Sequence, residues 1–297
     1  MSVNPSFDDW MLASQRAMEN ALARFLPSEQ TVPHRLHEAM RYTALEGGKR
    51  VRPALVFAAG ALFNADPDLL ARAASAVEMI HVYSLVHDDM PCMDDDALRR
   101  GKPTVHVKYD EATALLVGDA LQAQAFAVLS ECTADPARVL AMVRLLATAA
   151  GSTGMCGGQA IDLASVGISL TRNELEHMHR LKTGALLRAS VFLGALAGKV
   201  LTADEETALN HYAQAIGLAF QVVDDILDAT ADSATLGKTA GKDAADNKPT
   251  YVSLLGLEAS RSLAEQLLND ALAALAPFGD KASRLAQLAN LIVRRTA

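Results

Sequence analysis

The sequence has few cysteines, few aromatic residues and few of the residues that form turns. Its three cysteines, Cys92, Cys132 and Cys156, form no CxxC pair, which argues against a disulfide framework and against a zinc site. Aromatic residues make up 5% of the 297 residues, beside 18 glycines and 10 prolines. These shortages argue against a β-sandwich or barrel, which needs many aromatic strand positions and turns. The hydrophobic share of 51% instead predicts a large folded core.

Positive charge is also in deficit, since 27 lysines and arginines face 35 acidic residues for a net charge of −8. This balance makes nucleic acid an unexpected partner, so an anionic ligand has to meet a local basic cluster or bound metal ions. The opening residues, MSVNPSFDDW, lack the basic and apolar regions of a signal peptide. No charge-free run reaches the roughly 20 residues of a membrane span. We therefore expect a cytoplasmic protein with no membrane partner.

Apolar residues recur with the helical period along most of the chain, and no run alternates with the period of a strand. Thr171 with Glu174, and Thr202 with Glu205, have the spacing of capping boxes that begin helices. No repeat or linker divides the chain, so the pattern predicts one all-α domain over residues 1–297. Helices are expected at about residues 6–26, 33–46, 51–63, 67–90, 111–131, 135–150, 171–198, 202–229 and 251–275.

The first of two acidic clusters follows an apolar helix. Asp88 and Asp89 end that helix, and Asp94 comes after Pro91. Six residues of a straight helix turn through about 600°, which would point Asp94 away from Asp88. Proline disfavours helix at the residue before it, so a loop is expected to bring Asp94 back beside Asp88.

The second acidic cluster lies on one apolar helix, where Asp224 and Asp228 are four residues apart and Gln221 is one turn earlier. An acidic cluster is ordinarily a solvated helix face. Neighbouring carboxylates within apolar sequence are costly, however, unless cations neutralise them. Both clusters offer oxygen ligands only, with no His or Cys at ligand spacing, and such a set suits Mg²⁺ bound together with phosphates.

Basic residues of the kind that phosphates require occur in several places. His81 lies seven residues before Asp88 and therefore shares its helix face. Two polar segments, residues 90–104 and 231–250, interrupt the helical pattern and are interpreted as loops, the second as a candidate lid. Together these residues predict a site for two anionic groups, one reached through metal and one held by side chains. The cations concerned are Lys49, Arg50, Arg52, Arg99, Arg100, Lys182, Lys238, Lys242 and Lys248.

With these acidic clusters and basic residues, the chain resembles the trans-prenyl diphosphate synthases, most closely the bacterial farnesyl diphosphate synthases. The resemblance implies a homodimer of single-domain bundles, each with roughly ten helices around a deep cavity. It also implies Mg²⁺-dependent condensation of isopentenyl diphosphate with an allylic diphosphate. The matching motifs are GGKRVRP at 47–53, EMIHVYSLVHDDMPCMDDDALRRGKPTVH at 78–106, GDALQAQAF at 118–126, GGQAIDL at 157–163, LKTGALL at 181–187, FQVVDDILD at 220–228, LGKTAGKD at 236–243 and KPTYVSLLG at 248–256.

The resemblance also implies roles for individual residues. Three Mg²⁺ ions are expected on Asp88, Asp94 and Asp224, supported by Asp89, Asp225 and Asp228. The allylic diphosphate is expected at Arg99, Lys182, Lys238 and Lys248, with Thr183 and Gln221 along its chain near the carbocation. Isopentenyl diphosphate is expected at Gly48, Lys49, Arg52, His81 and Arg100. The catalytic set is then Asp88, Asp94, Asp224, Lys182, Thr183 and Gln221.

Product length is the property on which two arguments differ. Ser84 lies one turn before Asp88 on nearly the same face, so helix geometry favours Ser84 as the residue beside the growing chain. The resemblance instead points to Tyr83 as the floor of the cavity, and to a fifteen-carbon product. The alternatives are a geranylgeranyl or geranyl diphosphate synthase, and an inactive subunit of a heteromeric synthase. The spacing from Asp88 to Asp94 has two residues more than DDxxD, an insertion that related bacterial enzymes share.

Overall fold

Helices form nearly all of the regular structure in the computed structural model, which describes residues 5–230 and 249–295. The predicted all-α bundle is confirmed. Its assignment to one domain stays a prediction. In chain order the helices are α1 (Phe7–Phe25), α2 (His34–Ala44), α3 (Val51–Leu62), α4 (Pro67–Asp88), α5 (Val105–Lys108), α6 (Glu111–Ser130), α7 (Pro136–Ala150), α8 (Met155–Ala164), α9 (Arg172–His179), α10 (Ala185–Gly198), α11 (Ala203–Thr230), α12 (Tyr251–Leu255), α13 (Leu257–Ala274) and α14 (Ser283–Arg294).

Both predicted capping boxes are present. Thr171 and Glu174 exchange side-chain and backbone hydrogen bonds at the start of α9. Thr202 and Glu205 do the same before α11. Each box satisfies backbone N–H groups that the first helical turn leaves without partners, and so fixes where the helix begins.

The single helix predicted at 171–198 is wrong in its middle. A π-helical turn, Arg180–Gly184, separates α9 from α10. Such turns insert one residue into the helical ladder and often occur at functional sites. The helix predicted at 251–275 is likewise divided, because Gly256 has a φ of 83° between α12 and α13. Side-chain periodicity detects neither break, since the apolar pattern continues across both.

The expectation of no strand is wrong at one place. Leu98–Arg99 pairs with Lys102–Pro103 as a two-stranded antiparallel hairpin. Arg100 and Gly101 form its turn with φ values of 53° and 74°, as two-residue hairpin turns require. Each strand has only two residues, too few to show alternation. Arg99 is thus the last residue of the first strand, and Arg100 is the first residue of the turn.

The core consists of two apolar clusters that meet along the middle of the bundle. One is built mainly by α1, α2, α4, α6 and α7. The other is built mainly by α3, α10, α11, α13 and α14. Helix α10 is packed directly on α3, where a Cβ at Gly194 would lie 2.2 Å from the Val56 carbonyl oxygen. This close packing holds α3 and α4 in place, and both carry predicted site residues.

Four segments within the described residues have the length and apolar composition of membrane spans, which corrects the estimate made from charge-free runs. The most buried is Pro67–Asp88, of whose apolar window 67% is inside the bundle. A helix enclosed by other helices is apolar on several faces for packing reasons alone. The absence of a membrane partner stays a prediction. The other segments are Glu111–Ser130, Pro136–Ala164 and Arg172–Gly198.

Candidate active site

The first acidic cluster lies where α4 ends and the chain folds back on itself. The N–H of Asp94 donates to the carbonyl of Asp88 at 2.8 Å, and the N–H of Asp96 donates to the carbonyl of Asp89 at 3.2 Å. Pro91 lies inside this reversal, where its effect on the preceding residue ends the helix. The backbone therefore brings Asp94 back beside Asp88, as the sequence predicts.

Asp88 is the carboxylate in this turn whose ionisation is most disturbed. Burial raises the pKa of Asp88 to about 6, with Lys182 acting against that rise and Asp94 adding to it. A buried acid next to another acid holds its negative charge poorly until a cation arrives. The arrangement therefore favours a cation bound between Asp88 and Asp94.

Asp89 faces a different partner from its neighbour Asp88. The Nε of Arg99 donates to both carboxylate oxygens of Asp89, at 2.8 and 3.0 Å, and its Nη2 donates to Oδ1. Residue Asp89 is 4% exposed, whereas the Arg99 side chain is 33% exposed, so the carboxylate is the buried partner. Such a bidentate pair fixes the hairpin against the end of α4. Asp89 thus occupies a supporting position, and the predicted contact of Arg99 with a diphosphate stays a prediction.

The second acidic cluster lies near the end of α11, and its three carboxylates have different surroundings. Asp224 Oδ1 accepts a hydrogen bond from Arg295 Nη2 at 2.6 Å. Asp225 Oδ2 accepts the backbone N–H of Tyr251 at 2.7 Å. Asp228 is buried, at 7% exposed. Asp224 is the one whose side chain is partly open, at 41% exposed.

The π-helical turn holds two further predicted residues against neighbouring helices. Lys182 Nζ donates to Asp162 Oδ2 on α8 at 2.5 Å. Thr183 Oγ1 donates to Gln221 Oε1 on α11 at 2.9 Å. Helix α8 approaches this turn so closely that a Cβ at Gly158 would lie 2.1 Å from the backbone nitrogen of Lys182. Only glycine therefore fits at position 158. Thr183 is therefore bonded to Gln221, which lies one helical turn before Asp224 on α11.

A cavity of about 500 Å³ brings together all five residues predicted to bind isopentenyl diphosphate, and we call it the basic cavity. A Cβ at Gly48 would lie 2.6 Å from the guanidinium carbon of Arg100, and the φ of Gly48 is 84°. A side chain at that position would be strained and would displace Arg100. The predicted residues in its lining are Gly48, Lys49, Arg52, His81 and Arg100, beside Phe220 and Arg295.

The charges in the basic cavity are crowded. Burial and the nearby Arg52 and Arg100 guanidinium groups lower the pKa of His81 well below its usual value. Burial lowers the pKa of Lys49 and of Arg52 as well, with Arg295 adding to the effect at Lys49. A bound anion would relieve both the burial cost and the mutual repulsion. The cavity is therefore suited to a diphosphate that side chains hold directly.

Arg50, the remaining cation of GGKRVRP, also lines the basic cavity, but its guanidinium is already paired. The Arg50 residue lies in the interior, at 4% exposed, and its backbone φ is 52°. There its guanidinium donates to Glu78 at 2.6 Å, to Glu19 and to the carbonyl of Ala44. Partners this complete make a buried cation tolerable. Arg50 thus anchors the loop from which Lys49 and Arg52 reach the cavity.

A second cavity, of about 380 Å³, lies between α4 and α8, and we call it the apolar cavity. Its α4 wall includes Tyr83, Ser84 and Asp88, and it shares Arg52 and His81 with the basic cavity. Both residues considered for product length therefore line it. The wall from α8 consists of Met155, Cys156, Gln159, Ala160 and Leu163, and Cys156 Sγ lies 3.4 Å from the Tyr83 hydroxyl.

Several residues of this region carried no individual role in the sequence interpretation. Asp162 lies in GGQAIDL, a motif that could have suggested an acceptor for Lys182. Arg295 reaches Asp224 from 71 residues further along the chain, so no local spacing reveals it. Lys238, Lys242, Lys248 and most of the segment interpreted as a lid lie outside the described residues.

The oxygen donors of the two acidic clusters fit magnesium. Asp88, Asp94 and Asp224 offer carboxylates, and burial together with the nearby Asp94 raises the pKa of Asp88, a cost that a bound cation would offset. Within residues 5–230 and 249–295, no group of three or more His, Cys, Asp or Glu side chains is placed to hold a metal ion without other ligands. Mg²⁺ needs none, because it commonly uses one or two carboxylates, waters and the phosphates of a substrate.

Comparison with protein families gives one match, to the polyprenyl synthetase model over residues 33–287. A curated relative from Sinorhizobium fredii (strain NBRC 101917 / NGR234), named a probable farnesyl diphosphate synthase, is 53% identical over 282 residues. That alignment covers 94% of this chain and 85% of the relative.

Solved structures give the same result. An FPP/GFPP synthase from Zymomonas mobilis is 45% identical with a TM-score of 0.86, covering 97% of this chain and 98% of its own. A geranyltransferase from Helicobacter pylori, solved with magnesium and isoprenyl diphosphate, is 32% identical with a TM-score of 0.85. It covers 99% of this chain and 98% of its own.

Proposed function

The chain belongs to the polyprenyl synthetase family, and we propose that it is a farnesyl diphosphate synthase. It joins isopentenyl diphosphate to dimethylallyl or geranyl diphosphate and releases inorganic diphosphate. The observation that carries this proposal is the pair of cavities that meet at Arg52 and His81. One cavity is lined mostly by basic side chains, beside Glu46 and Glu78, and the other combines Asp88 and Lys182 with an apolar wall.

The two substrates occupy these cavities side by side. The diphosphate of isopentenyl diphosphate lies among Lys49, Arg52 and Arg100. Its negative charge reduces the repulsion between these three cations. The allylic diphosphate lies at Asp88 and Lys182, and its hydrocarbon chain extends along α4. Adjacent sites of this kind would hold the double bond of one substrate near C1 of the other, which would lower the entropy cost of their reaction.

The reaction breaks the allylic C–O bond, forms a C–C bond to the alkene and then loses a proton. Asp88, Asp94 and Asp224 would hold Mg²⁺, which we propose as three ions, and its charge would stabilise the departing diphosphate. Lys182 adds a fixed positive charge at the same place. The oxygens of Thr183 and Gln221 offer dipoles to the allylic cation without being nucleophiles strong enough to trap it. The released diphosphate accepts the proton.

Incubation with labelled isopentenyl diphosphate, Mg²⁺ and a series of allylic primers tests the proposal. Dimethylallyl and geranyl diphosphate should both yield a fifteen-carbon product after dephosphorylation and chromatography, and farnesyl diphosphate should be extended poorly. Mainly twenty-carbon or ten-carbon products would indicate the geranylgeranyl or geranyl alternative. No incorporation from any primer would support the inactive-subunit alternative and contradict the proposal.

We also propose that the protein is a cytoplasmic homodimer whose copies meet through α6 and α7. Leu115 and Leu116 on α6 and Leu140 on α7 are about half exposed, at 49%, 54% and 57%. Exposed large apolar side chains such as these are the kind that a protein interface covers. Light scattering should give the mass of two chains, and Leu116→Glu should shift it toward one chain. A wild-type mass of one chain at micromolar concentration would contradict the proposal.

A further inference from the structure

Two neighbouring carboxylates of α11, Asp224 and Asp225, face in different directions. The Asp224 side chain is 41% exposed and pairs with Arg295. Residue Asp225 is 4% exposed, and its Oδ2 accepts the backbone N–H of Tyr251 at 2.7 Å. Successive residues of a helix are about 100° apart, so two adjacent side chains cannot both face the same ligand equally.

Tyr251 is the first residue of α12, and its N–H is one of the donors that a helix start leaves without an intrahelical partner. A buried carboxylate bound to such a donor makes a charge-assisted hydrogen bond. Asp225 therefore ties the start of α12 to the turn of α11 that carries Asp224.

Tyr251 also contacts a third element. Its fully buried ring stacks on the ring of His179, with centroids 5.7 Å apart and planes 26° from parallel. His179 is the last residue of α9, directly before the π-helical turn that carries Lys182 and Thr183. Buried contacts thus run from Asp225, the residue next to Asp224, through Tyr251 to His179. His179 in turn directly precedes the π-helical turn that carries Lys182.

We infer that Asp225 is a positioning residue and not a metal ligand. Through Tyr251 and His179 it fixes Asp224 and Lys182 relative to each other, so that both can act on one allylic diphosphate. This inference rests on the proposed function, because it assigns Asp224 and Lys182 to that substrate. A metal ligand needs its negative charge, whereas a hydrogen-bond acceptor needs only an oxygen in the right place.

The two roles are separated by comparing Asp225→Asn with Asp225→Ala. The asparagine amide oxygen can still accept the Tyr251 N–H, so this variant should keep kcat and both KM values within about 3-fold. The alanine variant loses the acceptor, and its kcat/KM for geranyl diphosphate should fall by about 10- to 100-fold. The Mg²⁺ concentration for half-maximal activity should stay within about 3-fold of wild type in both variants, but rise at least about 10-fold in Asp224→Asn.

Equal impairment of Asp225→Asn and Asp225→Ala, with a raised Mg²⁺ requirement in both, would overturn the inference in favour of a ligand. Normal kinetics for Asp225→Ala would also overturn it. If Asp225→Ala does not fold, the asparagine variant still decides, because a ligand and an acceptor predict opposite results for it. Tyr251→Phe is the matched control and should be unchanged, since the Tyr251 hydroxyl makes no hydrogen bond within the described residues.

Calorimetric binding of inorganic diphosphate with Mg²⁺ provides a readout that needs no prenyl transfer. Wild type and Asp225→Asn should bind alike, and Asp224→Asn should bind at least about 10-fold more weakly. Wild-type protein that binds Mg²⁺ and diphosphate but forms no prenyl product would contradict the proposed function alone. Weak binding by Asp225→Asn, similar to that of Asp224→Asn, would contradict the positioning role.

Discussion

The basic cavity and the apolar cavity meet at Arg52 and His81, but they are built differently. The basic cavity is formed mainly by the loop before α3 and by the hairpin residue Arg100, and it holds cations whose pKa values burial and repulsion lower. The apolar cavity lies between α4 and α8, with Asp88 among its lining residues. One is therefore prepared for an anion directly, and the other only together with metal.

This difference shows how one bundle can hold two diphosphates without confusing them. Direct recognition by cations does not depend on divalent metal, whereas recognition through carboxylates fails without it because like charges repel. Product length should depend on the apolar cavity, because only that cavity has an apolar wall for the growing chain. Affinity for isopentenyl diphosphate should depend on the basic cavity. Changes on the two sides should accordingly alter different kinetic quantities.

The largest effect is expected on the acidic side. Asp88→Asn should lower kcat by at least about 100-fold, because loss of charge stabilisation at a leaving group costs about 3 kcal/mol. Steady-state assays with geranyl and isopentenyl diphosphates measure this. Asp95→Asn is the matched control from the same turn, where residue 95 is exposed, and should change kcat by less than about 3-fold. Near-normal turnover of Asp88→Asn would contradict the assignment of Asp88 as a metal ligand.

On the basic side, Arg100→Ala should raise the KM for isopentenyl diphosphate by about 10- to 100-fold, the equivalent of a charge-assisted contact worth about 1.5–3 kcal/mol. The KM for geranyl diphosphate should change little, since Arg100 lines the basic cavity and not the apolar one. Lys102→Ala, in the same hairpin, is the control. An effect confined to the allylic KM would mean that the two cavities are assigned in reverse.

Within the apolar cavity, Tyr83→Ala should shift the main product from fifteen carbons to twenty or more, because truncation removes a large side chain from the wall. The first condensation should slow by no more than about 3-fold, since Tyr83 is not among the residues proposed to hold the metal or either diphosphate. Tyr83→Phe keeps the ring and should keep the fifteen-carbon product. An unchanged product from active Tyr83→Ala enzyme would place the floor elsewhere, with Ser84 as the next residue to replace.

The smallest effect concerns stability. The pKa of Asp88 is raised to about 6 in the folded protein, so its neutral form stabilises the fold at low pH and this contribution is lost as pH rises through 6. Asp88→Asn should therefore stabilise the metal-free protein at pH 7 by about 1–2 kcal/mol, less than the full shift implies because the group is partly exposed. Denaturant unfolding in EDTA at pH 7 and pH 4 checks this. A difference that grows toward pH 4 would contradict it.

Much of the fold followed from the sequence because capping boxes and apolar periodicity are local signals. The return of Asp94 to Asp88 was also predictable, since Pro91 acts on the residue beside it. The π-helical turn and the break at Gly256 were not, because the apolar pattern runs through both. Arg295 was missed for a different reason, as its contact with Asp224 joins segments far apart in the chain.

Binding of each substrate alone, with and without metal, tests the difference between the cavities most directly. Isopentenyl diphosphate and geranyl diphosphate would be titrated separately by calorimetry, first in EDTA and then with saturating Mg²⁺. Removal of the metal should weaken geranyl diphosphate by at least about 10-fold and isopentenyl diphosphate by less than about 3-fold. Equal dependence of the two ligands on Mg²⁺ would contradict the account.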